Sequence, residues 1–101
     1  MDIKIPYEFF GNNSQEKSLF LHGNGFPPKA YEVLLKNLQK KLEIYAMYQR
    51  PFWSNDIKPN SIYGWDLFKN DTLDFIRQNN LKNIIGIGHS MGAVLILMIE
   101  I

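Results

Sequence analysis

An α/β fold, with helices on both faces of a mostly parallel sheet, is what this sequence of 101 residues predicts. Three observations carry that expectation. Short apolar runs alternate with stretches of helical periodicity in the order strand, strand, helix, strand, helix, strand, helix, the pattern of right-handed crossovers. Two glycine-rich breaks, His22-Gly23-Asn24-Gly25 and Gly88-His89-Ser90-Met91-Gly92, each follow an apolar run, where open α/β sheets place their ligand-binding loops. No repeat, linker or low-complexity stretch interrupts the alternation, so residues 1–101 read as one domain or part of one.

The elements follow in chain order. Ile3 to Phe10 alternates loosely and ends on Gly11-Asn12-Asn13-Ser14, an edge strand and a turn; Pro6, lacking an N–H, suits an edge and not a central strand. Lys17 to His22 is a short apolar strand that breaks into the loop Gly23 to Pro28. Tyr31, Leu34, Leu35, Leu38 and Leu42 then fall on one face of a helix, with Pro28 in its first turn, where a missing donor costs little. Leu42 to Tyr48 is apolar enough for a strand buried on both faces. A loop from Arg50 to Ser61 leads to a second helix, whose buried face is Trp65, Phe68, Thr72, Phe75 and Ile76 and whose stop is Asn79-Asn80. Ile84 to Gly88 is the third buried strand. Ala93 to Ile101 is apolar nearly all round, as a helix beneath a sheet would be. Its Val and Ile content also suits a strand, so the helix assignment rests on the motif before it.

Composition narrows the function classes. The chain is 46% hydrophobic and 14% aromatic, which suits a globular core and not a disordered segment. A formal charge of +1, with no like-charge run longer than Lys40-Lys41, offers no footprint for nucleic acid or an anionic membrane. Cysteine is absent, which excludes disulfides, thiolate catalysis and zinc–thiolate sites and fits a cytoplasmic setting. The N-terminus lacks the basic start and apolar core of a signal peptide, and the longest apolar run, Met91 to Ile99, is far short of the ~20 residues of a membrane span.

The Gly88-to-Gly92 pentapeptide has the form Gly-x-Ser-x-Gly between a strand and a helix. A strand that turns sharply into a helix forces the central serine into a strained conformation and crowds the residues two positions either side, so only a very small side chain fits there, which accounts for Gly88 and Gly92. By chance the bare pattern arises in roughly 3% of chains this long at average composition. Its flanks therefore decide between a passing glycine turn and a functional bend, and here both flanks are legible.

This passage resembles the nucleophile elbow of the α/β-hydrolase family. His22-Gly23-Asn24-Gly25 resembles that family's oxyanion loop, one strand-helix-strand-helix-strand passage upstream. The resemblance covers essentially the whole chain and implies Ser90 as nucleophile, with the backbone amides of Asn24 and Met91 as the oxyanion hole. His22, Gly23, Gly25, Gly88, His89 and Gly92 would support the two motifs, His22 structurally and His89 by packing or hydrogen bonding. A serine at position 90 separates the chain from branches with aspartate there, such as epoxide hydrolases and haloalkane dehalogenases. The implied chemistry is acyl transfer from a small ester, thioester or amide, with no metal and no cofactor. Phe26, Phe52, Trp53, Tyr63 and Trp65 either line an acyl pocket or simply cover the sheet. Asp56, Asp66, Asp71 and Asp74 are expected on loop and helix surfaces.

A serine needs a base, and the base an orienting acid. The family order is serine, then acid, then histidine, yet after Ser90 the sequence offers only Glu100 and no histidine. A full core of that family also has roughly twice the strands counted here. The expectation is therefore a truncated α/β-hydrolase core: the N-terminal part of a serine hydrolase, inactive alone. It would have an unpaired sheet edge through which a second copy or a partner strand could associate. The alternative is a non-catalytic binding or interaction module derived from such an enzyme. A phosphate-binding domain is disfavoured, because neither glycine loop has the P-loop or dinucleotide pattern.

Overall fold

A computed structural model describes residues 4–11, 16–53 and 64–99. The expected Ile3, the turn residues Asn12 to Ser14, the loop from Ser54 to Ser61 with Asp56, and Tyr63, Glu100 and Ile101 lie outside the described residues. The elements are β1 (Tyr7–Phe10), β2 (Glu16–Leu21), a 3-10 turn (Pro28–Tyr31), α1 (Glu32–Leu38) and β3 (Leu42–Met47). A second 3-10 turn (Arg50–Phe52), α2 (Trp65–Gln78), β4 (Ile85–Gly88) and α3 (Met91–Ile99) complete them. The strands form one sheet in the order β1-β3-β2-β4. β2 runs parallel to both β3 and β4, and β1 pairs antiparallel with β3. Among the described residues no helix is long and apolar enough to cross a membrane.

β2 is one of the two interior strands, flanked on both sides and covered on both faces, so Ser18 to Leu21 are shut off from solvent. Strand alternation sends Leu19 and Leu21 to one face, where they join Met47, Phe75 of α2 and Leu95 of α3. It sends Phe20 to the other, against Ile44, Ala46 and Leu35 of α1. Helices thus cover both faces, as expected. Each fully buried side chain of this size contributes about 1.5–3 kcal/mol, so these central positions carry most of the apolar stabilisation.

Several expectations are corrected. Leu34 is 52% exposed, and Leu42 opens β3 instead of closing the helix. The face itself is as expected, with Tyr31, Leu35 and Leu38 packed into one core cluster and Leu35 as its buried anchor; Leu34 lies outside that face. Trp65, the first residue of α2, stays outside the core while Thr72 and Phe75 enter it. β4 is not the buried strand expected: Ile85 is 38% exposed, while its far side, unpaired among the described residues, is the open sheet edge the sequence leads one to expect. The stop after α2 does fall at Asn79-Asn80. Asn80 takes a left-handed φ of 53°, the Leu81 N–H reaches back to the Ile76 carbonyl at 3.0 Å, and that of Asn80 to Arg77 at 3.1 Å. This is the double bond pattern by which helices end on a left-handed residue, and the buried Leu81 seals it.

Asp71 does not lie on the surface. It is 3% exposed on α2 and receives a two-pronged hydrogen bond from Arg50, Nε to Oδ2 at 2.8 Å and an η nitrogen to Oδ1 at 3.1 Å. The Arg50 guanidinium also lies 4.7 Å from the Trp53 ring centroid. Burial pushes the Asp71 carboxyl up from its ordinary value despite the opposing pull of Arg50, so desolvation offsets much of the attraction. The pair ties α2 to the segment that leaves β3. Removing one partner strands the other charge, whose side chain is only 14% exposed. Asp71→Ala is therefore expected to lower the unfolding free energy by about 3 kcal/mol, read by urea denaturation.

Candidate active site

β2 and β4 are neighbours, but the chain leaves them in opposite directions. After β2 it passes to α1 on one face; after β4 it passes to α3 on the other. Divergence of this kind opens a crevice at the carboxyl ends of the two strands, the usual ligand position in open α/β sheets. Both glycine motifs sit there.

On the β4 side, Ser90 adopts a left-handed φ of 56° and is exposed. For a residue with a side chain this conformation costs roughly 1–2 kcal/mol. It is held by the first turn of α3, in which Gly92 N–H donates to His89 O at 2.9 Å and Ala93 N–H to Ser90 O at 3.0 Å. The two flanking glycines are required by contact. A Cβ at Gly88 would lie 2.5–2.6 Å from Ala93 N, Ala93 Cα and Gly92 C. A Cβ at Gly92 would collide with the Leu21 carbonyl and come within 2.9 Å of the His22 oxygen. The elbow is thus pressed onto the end of β2, and the His89 N–H donates to the Leu21 carbonyl at 3.2 Å.

On the β2 side, His22 is buried and both of its ring nitrogens are engaged. Nε2 accepts the Gln49 backbone N–H at 2.9 Å, which leaves Nδ1–H to donate to the Gly23 carbonyl at 2.8 Å. The Gln49 side-chain amide donates to the His22 carbonyl at 2.6 Å, and the Phe52 ring meets the imidazole edge-on at 5.3 Å. Burial lowers the His22 pKa, opposed only by the Gly23 carbonyl. Beyond it, Phe26 N–H closes a turn onto Gly23 O at 3.2 Å. Gly25 stands at its third position with φ 85°, where a side chain would be strained. Asn24 is exposed in that turn.

The two sides touch. A Cβ at Gly23 would lie 3.0 Å from His89 Nδ1, and the Gly23 N–H donates to the Tyr31 hydroxyl at 2.9 Å. That hydroxyl is in turn 2.8 Å from His89 Nδ1. The fold therefore brings together His22, Gly23, Gly88, His89, Ser90, Met91 and Gly92, with Asn24 and Gly25 in the turn leading away from Gly23. Tyr31 and Gln49 are the participants that sequence reasoning missed. Periodicity places Tyr31 on an apolar helix face, and a lone Gln after a strand carries no signal. The aromatic residues divide: Trp53 is a core residue, its indole N–H donating to Tyr48 O at 2.6 Å, Phe52 packs on His22, and Phe26 and Trp65 are exposed. A separate hollow lined by Lys4, Ile5, Tyr7, Gln78 and Asn79 contains no motif residue.

This fold is that of the α/β-hydrolases. A marine microorganism esterase superposes with a TM-score of 0.82 at 22% identity, over 97% of this chain and 36% of its own. A protein from Rickettsia typhi, described only provisionally as a hydrolase, matches with a TM-score of 0.74 at 28% identity, over 90% of this chain and 35% of its own. A 1H-3-hydroxy-4-oxoquinoline 2,4-dioxygenase reaches 0.82 at 13% identity, over 96% of this chain and 38% of its own. The chain thus spans about a third of the length of these structures. No family model matches the sequence, and no curated protein matches it as a relative. Neighbours that include both an esterase and a dioxygenase show that the fold does not by itself set the reaction.

Two sets of outcomes test the site's construction, the first of them steric. Gly92→Ala is expected to cost at least about 2 kcal/mol in urea unfolding, because rigid backbone must yield. Ser90→Gly, which relieves the left-handed strain, leaves stability unchanged or raises it by up to about 1 kcal/mol. The second concerns pH. His22 is held neutral in the fold but takes a proton near 6.5 when unfolded. Its contribution is thus complete above pH 6.5 and is lost as pH falls through the lower folded value. Unfolding free energies measured from pH 7.5 down to 5 will fall, and His22→Gln will flatten that slope, which for one proton is at most about 1.4 kcal/mol per pH unit.

Proposed function

We propose that this chain is the nucleophile-bearing part of a serine hydrolase acting on a small ester-like substrate. The observation that carries the reading is Ser90, exposed and left-handed at the crevice where β2 and β4 diverge, beside a glycine turn with amides to offer. Ser90 Oγ attacks the carbonyl carbon of an ester, thioester or amide. The oxygen that becomes negative is stabilised by the Met91 and Asn24 N–H groups, each worth on the order of 3 kcal/mol in the transition state. The leaving group departs with a proton, and water then hydrolyses the acyl-enzyme. No cofactor or metal enters this scheme. A cytoplasmic setting belongs to the reading and rests on the sequence alone.

The proton on Ser90 has no acceptor among the described residues. The sequence holds two histidines, His22 and His89. The first has both nitrogens engaged, and the second has Nδ1 against Tyr31. The orienting acid and a free imidazole would have to come from outside these residues, so the chain alone turns nothing over. A second reading, an interaction module derived from a hydrolase, is favoured by the edge of β4, open among the described residues, and by apolar surface on the helix that follows it. There α3 leaves Val94 and Leu97 exposed, Leu97 by 79%. A second copy or a partner strand would add at that edge.

One set of measurements separates these. The 101-residue chain is expected to hydrolyse p-nitrophenyl esters no faster than buffer. With imidazole added as an external base, a fluorophosphonate probe labels Ser90, and Ser90→Ala abolishes the label. Turnover lost in Ser90→Ala would overturn the inactivity. An unlabelled Ser90 in a discrete oligomer by size exclusion would favour the interaction module.

A further inference from the structure

We propose that Tyr31 is a positioning residue: its hydroxyl ties the turn that carries Asn24 to the elbow that carries Ser90 and fixes His89 as its Nε2–H tautomer. The catalytic meaning of the tie rests on the hydrolase reading above; the tie itself rests on geometry. The turn has little else to hold it in place. Asn24 and Phe26 are exposed, and a side chain at Gly25 would find no atom within 4 Å. The Gly23 carbonyl is taken up within its own segment, by His22 Nδ1–H and Phe26 N–H. The Gly23 N–H, by contrast, donates outward to the Tyr31 oxygen at 2.9 Å, and that oxygen lies 2.8 Å from His89 Nδ1.

Proton bookkeeping sets the direction of the second bond. The phenol oxygen already accepts the Gly23 N–H and has one proton of its own. Donating it to the Nδ1 lone pair uses both the donor and the acceptor within the protein, whereas in the opposite tautomer the phenol oxygen would accept twice and its proton would have only solvent to meet. Neutral His89 therefore carries its hydrogen on Nε2. The phenol ring is itself anchored: Phe20, in the buried core, meets it edge-on at 4.7 Å and 64°, and the His89 ring meets it at 5.6 Å. A rigid path thus runs from the core through Tyr31 to both halves of the crevice. Its mechanistic effect is to hold the separation between the Asn24 and Met91 amides, on which a shared oxyanion depends. Misplacements of about 1 Å can cost up to 10²-fold in rate, so a loosened turn is expected to cost on the order of tenfold.

Tyr31→Phe removes one oxygen and keeps the ring against Phe20. In nitrogen-15 spectra of histidine-labelled protein, neutral His89 is expected as the single Nε2–H tautomer in the parent and as a mixture in the variant. Exchange of the Gly23 amide is expected to quicken about tenfold while the β2 amides hold, and imidazole-assisted fluorophosphonate labelling of Ser90 to slow by about the same factor. An unchanged His89 tautomer and Gly23 exchange rate would overturn the proposal. So would quickening of the β2 amides together with Gly23, which would make Tyr31 a general stabiliser. If Ser90 labels in neither protein, the hydrolase reading fails, and the tautomer and exchange results still decide the role of Tyr31.

Discussion

The approach of α3 to the carboxyl end of β2 is the contact on which the other features depend. Because Gly92 has no side chain, the first turn of the helix settles against the Leu21 and His22 carbonyls. The His89 N–H then reaches Leu21, and β4 pairs with β2 up to Gly88. The same contact leaves Ser90 no choice of backbone: strand direction before it and helix direction after it are both set, and the left-handed φ is what joins them. Local strain at one residue is thus sustained by the packing of its neighbours.

Around this contact the chain uses two kinds of cohesion. The middle of the sheet is apolar on both faces, through Leu19, Leu21, Phe20 and their helix partners. The carboxyl ends are held instead by a polar mesh: His22 with Gln49 and Gly23, Tyr31 with Gly23 and His89, and Arg50 with Asp71. Apolar packing tolerates sliding, whereas hydrogen bonds at defined angles do not. Fixed geometry therefore falls where chemistry would need it. The unpaired Oε1 of buried Gln49 is one place where the mesh is incomplete among the described residues.

Much of this was legible in the sequence, for physical reasons that can be named. The elbow was visible because steric exclusion leaves a compositional trace: only glycine survives at positions 88 and 92. The helix stop at Asn79-Asn80 was visible because left-handed backbone selects asparagine. Buried polar partnerships left no such trace. Asp71 looked like a surface acid because its partner, Arg50, lies 21 residues away across the fold. Tyr31 looked apolar because periodicity counts its ring and ignores its oxygen. The exposure of β4 escaped notice because apolarity does not report how much covers a strand.

The division of labour within the pentapeptide bears on what substitutions in it would mean over evolutionary time. Gly88 and Gly92 answer to sterics alone, and His22 to its hydrogen bonds with Gly23 and Gln49; these are demands of the fold, independent of any activity. Ser90 is different. Nothing packs it in, and its backbone would be easier with glycine or asparagine. In a lineage kept only for its shape, that position is the first to drift. The serine is therefore the informative letter of the motif, and the glycines around it record architecture.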